Sequence, residues 1–393
     1  MAQIGVGGMG NAHLEWYAAC EDVDIVAICD VDDAHIATTL ANLERLRPGA
    51  KVDTYRDFRH VLDRPDIDVV SCATPDHWHA IIAIMAFAAG KDVYGEKPLS
   101  HTLEESYAMV EAQRRTGRVF QLGTQIHAGD NYHRAAELIR SGVLGPIHEV
   151  NLWMNGGSPG CGFPAEEDPP ATLDWDLWLG PAPKVPYNPA KCHGTFRYFW
   201  DYSGGVYADF WCHIADIAYW ALDLRAAPRT IAARGETPGD GIADTPAWID
   251  VDYEFDDLRL TWTSRTPDLP GAAGKVIGAQ FVGENGTMVV DYGTRVLFLD
   301  GEELTDLPDV PQSLPRSPGH VRNFLDCVKT REQPESNLEC VHRMTLPMHL
   351  GCASFRVGRE LTWDGQNRCF VGDDEATRLL SKSYRAPWSL PTV

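Results

Sequence analysis

Gly5-Val6-Gly7-Gly8-Met9-Gly10 follows directly on the short β-rich run Ala2 to Val6 and opens a helical pattern from Asn11 to Ala19. Glycines at this spacing also occur in ordinary turns, so the context decides the reading. Between a strand and a helix, a G-x-G-x-x-G run lets the backbone approach a pyrophosphate and aims the helix N-terminus at its charge. A second β-rich run, Val23 to Cys29, ends beside Asp30, 20 residues beyond Gly10. A carboxylate there can hold the ribose hydroxyls of a dinucleotide. Asp30-Val31-Asp32-Asp33 supplies three carboxylates and no arginine, so a 2′-phosphate would meet repulsion and NAD is the expected cofactor rather than NADP.

Working outward, β-rich runs recur at Val52 to Tyr55, Val69 to Cys72, Asp92 to Tyr94 and Val119 to Leu122. Helical patterns lie near Tyr55 to Leu62, over Trp78 to Ala89 and over Leu103 to Arg115, the last two closed by Gly90 and Gly117. Alternation of this kind predicts a doubly wound parallel sheet, a Rossmann domain over residues 1–123. From 124 to 393 the grammar changes. After a helix at Tyr132 to Arg140 come longer strands: Ile147 to Met154, Ile249 to Phe255, Leu258 to Ser264, Val276 to Val282, Thr287 to Tyr292 and Val296 to Leu299. Turn signals such as Asp256-Asp257 and Asn285-Gly286 separate some of them, which predicts an α/β domain with an open, mostly antiparallel sheet. Helical patterns return at Val321 to Lys329, Met344 to Arg359 and Asp374 to Lys382.

Composition narrows the class. The 393 residues are 44% hydrophobic and 23% charged, which matches globular domains, and the net charge of −22 argues against nucleic acid and anionic membrane surfaces as partners. No apolar run approaches the roughly 20 residues of a membrane span. With no basic-then-apolar leader at the N-terminus, cytoplasmic residence is expected. Ten cysteines occur without a Cys-x-x-Cys pair and are read as reduced thiols.

Two motifs sit at strand carboxyl ends, where open α/β sheets place their ligands: Thr74-Pro75-Asp76-His77-Trp78-His79 and Glu96-Lys97-Pro98. Gly5, Gly7, Gly8, Met9, Gly10, Asp30, Val31, Thr74, Pro75, His77, His79, Glu96, Lys97 and Gln125 are therefore the candidate cofactor-binding residues. A lysine held after a strand can donate a hydrogen bond to a reacting hydroxyl or carbonyl oxygen. Farther along, Asp209 and His213 lie four apart in a helical pattern and share a face. Histidine suits proton abstraction near neutral pH, and a nearby carboxylate can orient substrate and raise its basicity. Neither this pair nor His77 with His79 shows a third ligand, so no metal is expected.

Through the glycine loop, Pro75 to His79, Glu96-Lys97-Pro98 and Gly204 to Asp216, with its Asp-x-x-x-His signature, the sequence resembles the glucose-fructose oxidoreductase, inositol dehydrogenase and MocA (Gfo/Idh/MocA) family. Leu173 to Pro181 and Tyr384 to Trp388 look like a bacterial branch of it whose substrates are often unassigned. The resemblance implies a second domain whose large sheet forms the interface of a homo-oligomer, a dimer or tetramer. It also implies a catalytic trio of Lys97, Asp209 and His213.

Residues 155–204 hold 8 Pro and 7 Gly, too many for regular structure, together with Trp175, Trp178, Tyr187, Phe196, Tyr198, Phe199 and Trp200. Disordered segments are aromatic-poor, so this long loop is expected to be an ordered cover over a substrate cleft. Aromatic faces pack against sugar C–H faces, which makes Trp200 and Tyr202 substrate-binding candidates, with His127 and Arg197 as weaker ones. The whole reads as an NAD-dependent oxidoreductase that takes a hydride from a secondary hydroxyl of a sugar, cyclitol or glycoside. Two rivals are an NAD-assisted glycosidase that oxidises, eliminates and reduces with no net redox change, and a non-catalytic NAD-responsive regulatory protein.

Overall fold

The computed structural model describes residues 1–393. Its first part is an α/β sandwich built from β1 (Ala2–Ile4), α1 (Gly8–Ala18), β2 (Ala27–Cys29), α2 (Asp33–Leu46), β3 (Asp53–Tyr55), α3 (Phe58–Leu62), β4 (Val69–Cys72), α4 (Asp76–Ala88), β5 (Asp92–Gly95), α5 (Leu103–Thr116) and β6 (Phe120–Leu122). The six strands are all parallel in the order β3-β2-β1-β4-β5-β6. The order reverses at β1, so the crevice opens at the carboxyl ends of β1 and β4, beside the glycine loop. Strands β1, β2, β4, β5 and β6 are buried along their whole length, as a sheet covered on both faces requires.

The second part comprises α6 (Asp130–Arg140), β7 (Ile147–Met154), α7 (Trp175–Leu179), α8 (Gly205–Leu222), β8 (Thr230–Glu236), β9 (Trp248–Glu254), β10 (Arg259–Thr263), β11 (Ile277–Gly283), β12 (Gly286–Val290), β13 (Arg295–Leu299), β14 (Glu302–Glu303), α9 (His320–Thr330), α10 (Leu338–Val357), β15 (Leu361–Asp364), β16 (Cys369–Phe370) and α11 (Asp374–Arg378). Ten strands form one sheet ordered β14-β13-β12-β11-β7-β10-β9-β8-β15-β16. Every neighbouring pair is antiparallel except β7 with β10. Helices α8 and α10 pack against this sheet, and the buried residues of both parts merge into one large core.

Three features depart from the sequence reading. Helix α2 was not anticipated between the second and third strands, because it buries only Ile36, Thr39 and Leu43, a stripe too narrow to stand out. Strand β8 has a single fully buried residue, Ile231, and owes its place to backbone pairing along β9 rather than to its own pattern. The last helix stops at Arg378 instead of reaching Lys382, whose ammonium turns inward to Glu105 at 2.7 Å. All ten cysteines are unpaired.

Between β7 and α8 the chain forms an ordered strap over the first sheet. Leu173, Trp178, Leu179, Tyr187, Phe196, Phe199 and Tyr202 form their own buried cluster. The strap docks on the β2–α2 turn through Asp33 N–H to Thr172 O at 3.0 Å and Asp174 N–H to Val31 O at 2.9 Å. Trp178 is 3% exposed at the centre of that cluster. Trp178→Ala is expected to cost about 3–5 kcal/mol of stability and to speed proteolysis between residues 155 and 204. Denaturant unfolding and timed trypsin digestion will measure both, and a variant as resistant as wild type would show that the strap is held elsewhere.

Candidate functional site

A cavity of about 340 Å³ runs from the glycine loop, past the ends of β1, β2 and β4, to Lys97, with the strap as its outer wall. Gly5, Gly7, Gly8, Met9, Asp30, Val31, Thr74, Pro75, Glu96 and Lys97 line it. Gly5 has φ +78, and a Cβ there would lie 2.5 Å from Ala73 O, so the loop can turn only with glycine at this position. Around Gly8 there is open space, which leaves bare backbone facing the cavity. Helix α1 begins with no side-chain cap, so its first N–H groups are free for an anion. These features suit a dinucleotide pyrophosphate. Asp30 accepts hydrogen bonds from Val6 N at 2.8 Å and Asp32 N at 2.9 Å, which fixes its carboxylate at the wall where a ribose would sit.

Four of the cofactor-binding candidates do not line the cavity. Gly10 is packing: a Cβ there would come 2.0 Å from Gly5 O, so its absence seats α1 on the loop. His77 lies between Trp178 and Tyr202, with Nε2 3.1 Å from Trp178 O, and burial together with the Lys382 charge pushes its pKa down to about 3. Both ring nitrogens of His79 are engaged by backbone carbonyls, Pro98 O at 2.7 Å and Thr74 O at 2.9 Å, so it ties the two strand-end turns together. Gln125 is exposed after β6 and does not line the cavity.

Sequence reasoning missed several lining residues. Arg56, one residue past β3, reaches the cavity but is ion-paired with Asp33, so its charge is spent on that acid. Its position at a strand carboxyl end was the available signal. The His35 and His193 rings lie tilted against each other, 4.3 Å between centres, beside Asp30 and Asp32, and His193 Nε2 lies 2.9 Å from Asp32 Oδ2. His193 comes from the strap, as do Trp178, Phe196 and Arg197, and no spacing rule connects them to the glycine loop.

At the inner end of the cavity Lys97 meets α8. Its Nζ donates to Asp209 Oδ1 at 2.6 Å, while Arg197 Nε lies 3.1 Å from Asp209 Oδ2. Burial alone would raise the Asp209 pKa, but Lys97 and Arg197 overcome it and hold the carboxyl below its ordinary range. Glu96 is buried beside Lys97 and is held low, against burial, by its 2.9 Å contact with His13. His213 lies one turn along α8, and burial and the Lys97 charge push its pKa down to about 4. Its Nδ1 is 2.6 Å from the Tyr292 hydroxyl. Asp209 and His213 share a helix face without touching each other; the carboxylate serves the lysine, and the partner of the imidazole is a tyrosine the sequence did not suggest.

Of the four substrate-binding candidates, Arg197 alone lines this cavity. Tyr202 is fully buried against Trp178 and Phe199 in the strap core, so it faces no ligand. Trp200 lines two other grooves rather than this cavity, and the Arg356 guanidinium lies 5.1 Å from its ring. His127 is 7% exposed, ion-paired with Asp216 at 3.1 Å and stacked on Trp220 at 4.2 Å.

Comparison with known proteins agrees with this layout. Residues 1–124 match a family model described as an oxidoreductase family, NAD-binding Rossmann fold, and residues 162–390 match its C-terminal alpha/beta domain. A glycosyl hydrolase family 109 protein of Shewanella sp. (strain W3-18-1) is 35% identical over 162 residues, 38% of this chain and 35% of that protein. An alpha-N-acetylgalactosaminidase of Shewanella oneidensis is 32% identical over 162 residues, with the same shares, so the match spans only 35% of these curated relatives. Among solved structures, the WlbA dehydrogenase of Bordetella pertussis in complex with NADH and UDP-GlcNAcA aligns with TM-score 0.65 at 18% identity, over 92% of this chain and 98% of that one. Levoglucosan dehydrogenase in complex with NADH and levoglucosan aligns with TM-score 0.64 at 20% identity, over 92% and 98%. These two likenesses are of fold. From its two matched domains, the chain belongs to the Gfo/Idh/MocA family of oxidoreductases, with an NAD-binding Rossmann fold at its N-terminal end.

Proposed function

We propose that this protein oxidises a secondary hydroxyl of a sugar, cyclitol or glycoside, with Lys97 and His213 acting on the reacting oxygen. The observation that carries the reading is that Lys97 and Arg197, which line the inner end of the dinucleotide cavity, meet on Asp209 of α8, one turn before His213. NAD, when bound, supplies the hydride acceptor. The Lys97 ammonium donates to the substrate oxygen and steadies its developing charge, and Asp209 with Arg197 holds that ammonium in place. His213 Nε2, which has no partner within the protein, takes the hydroxyl proton. The strap excludes water through Trp178 and Phe196.

A second reading has a specific finding in its favour. The curated relatives at 32–35% identity are named glycosyl hydrolase family 109 proteins and an alpha-N-acetylgalactosaminidase. A transient oxidation, elimination of the leaving group and re-reduction would employ the same residues with no net NADH. No helix is long and apolar enough to cross a membrane. Cytoplasmic residence and a homo-oligomer formed through the ten-stranded sheet belong to the proposal and are open to fractionation and light scattering.

The deciding experiment incubates the purified protein with NAD and a panel of sugars and glycosides, following NADH absorbance and released aglycone together. Net NADH supports the dehydrogenase, aglycone without NADH supports the glycosidase, and neither signal across the panel removes both. Lys97→Met and His213→Ala should each lower turnover by about 100-fold or more while leaving NAD affinity nearly unchanged. A variant with wild-type turnover would lose its place in the mechanism.

Because His213 is held near 4, the base is unprotonated across the neutral range, and kcat/KM should fall on the acid side only below roughly pH 5. An acid limb at the ordinary histidine value would assign the base elsewhere.

NAD should bind at least about 10-fold more tightly than NADP, on the order of 1.4 kcal/mol. Asp33→Ala, which releases Arg56 from its ion pair, should narrow that gap in calorimetric titrations. Equal affinities in the wild type would show that the acidic wall does not select.

A further inference from the structure

Tyr292 stands in the turn between β12 and β13, 79 residues from His213 in the chain, yet its hydroxyl is 2.6 Å from His213 Nδ1. The turn that carries it is rigid. Asp291 accepts from Gly293 N at 2.9 Å and Thr294 N at 2.7 Å, and Lys275 Nζ clamps the same carboxylate at 2.7 Å. The Tyr292 ring packs edge-on against Tyr132 at 5.5 Å, while the residue remains 45% exposed. The residue thus holds its hydroxyl against a half-buried imidazole while part of its ring faces solvent.

A base in this setting must also discharge. The Lys97 charge acts on His213, Asp209 is occupied by two cations, and the Phe210 ring sits 5.5 Å from the imidazole. The remaining charged group near it, Glu96, is committed to His13. None of these groups is free to accept a proton taken at Nε2. Tyr292 itself faces Asp216, Cys212 and Tyr132; Asp216 is bound to His127 and Thr124.

We propose that Tyr292 is a positioning residue for His213 and the exit for the substrate proton. With Tyr292 oxygen accepting from Nδ1–H, the Nε2 lone pair is left free toward the substrate, which is the tautomer a base needs. In the oxidation that rests on the function proposed above, the substrate O–H bond breaks as Nε2–H forms, and the carbon-bound hydrogen leaves with its electron pair to NAD. The Nδ1 proton then passes to the Tyr292 oxygen while the phenol's own proton passes to water, and the Nδ1–H form is restored by proton exchange with solvent once product has left. One alcohol and one NAD yield one carbonyl compound, one NADH and one proton in solvent. Burial raises the Tyr292 pKa, so the phenol stays neutral and can accept and donate in the same step. The depressed His213 pKa makes its imidazolium a ready donor.

The test uses full-length protein with 15N-labelled histidine, wild type and Tyr292→Phe, a change at an exposed position that keeps the ring packing. Nitrogen chemical shifts should place wild-type His213 in the Nδ1–H form, and Tyr292→Phe should lose that bias. Turnover of the variant should fall about 10-fold or more at unchanged KM and NAD affinity, and added imidazole should restore it in proportion to its concentration. A wild-type His213 in the Nε2–H form, an unchanged tautomer in the variant, or a turnover loss that imidazole does not relieve would overturn the proposal. The nitrogen shifts need no substrate, so a wild type that turns nothing over would count against the dehydrogenase reading alone.

Discussion

One buried carboxylate joins the parts of this molecule that come from distant stretches of sequence. Asp209 on α8 receives Lys97 from the end of β5 and Arg197 from the strap, with its side chain about 10% exposed. Without it two partly buried cations would face each other with their principal counter-charge gone. The arrangement therefore sets where the first sheet, the strap and α8 must lie relative to one another. Because its charges are already balanced, the Lys97 ammonium is held in one position rather than swinging with solvent, and that is the condition for polarising a substrate oxygen.

The strap turns an open crevice into an enclosed one. Rossmann crevices are formed by strand ends and helix N-termini, which give a floor but no roof. Here the roof is a segment rich in proline and glycine, which cannot form long helices or strands, folded instead around its own aromatic cluster. It meets the floor at Asp32 through Leu173 and His193, on the acidic turn that faces a ribose. The C-terminal tail adds a second fastening. Arg385 binds Asp176, and Trp388 packs edge-on against Trp78 at 4.7 Å, under the cavity wall. Closure is thus a property of long-range contacts laid over a local scaffold.

How far the sequence was legible follows the range of the interactions involved. The glycine loop, Asp30 and the strand-end motifs around Thr74 and Lys97 act through neighbours a few residues away, and the structure lines a single cavity with them. The alternation of short apolar runs and helical stretches predicted the parallel sheet, and the change of rhythm after Thr124 predicted a second, mostly antiparallel one. What misled was proximity in sequence taken as proximity in space. Trp200 and Tyr202 adjoin the entry to α8, but nearby residues of an irregular segment point different ways; Tyr202 lies in the strap core and Trp200 lines grooves outside the cavity. Likewise Asp209 and His213 were read as a pair because i and i+4 share a helix face, and each found its partner elsewhere.

The sequence by itself determined the class of fold, the cofactor and the residue types that could act on a reacting oxygen, because those depend on backbone freedom at glycines, on hydrophobic period and on side-chain chemistry, all of which are local. Tertiary structure alone decided which groups meet: Tyr292 with His213 across 79 residues, Arg197 with Asp209, and His193 with Asp32 across 161. Those contacts arise from how a ten-stranded sheet brings the β12–β13 turn to α8 and how the strap lies across the first sheet. No spacing in the chain encodes them, since the distances are set by packing and not by helical or strand repeat.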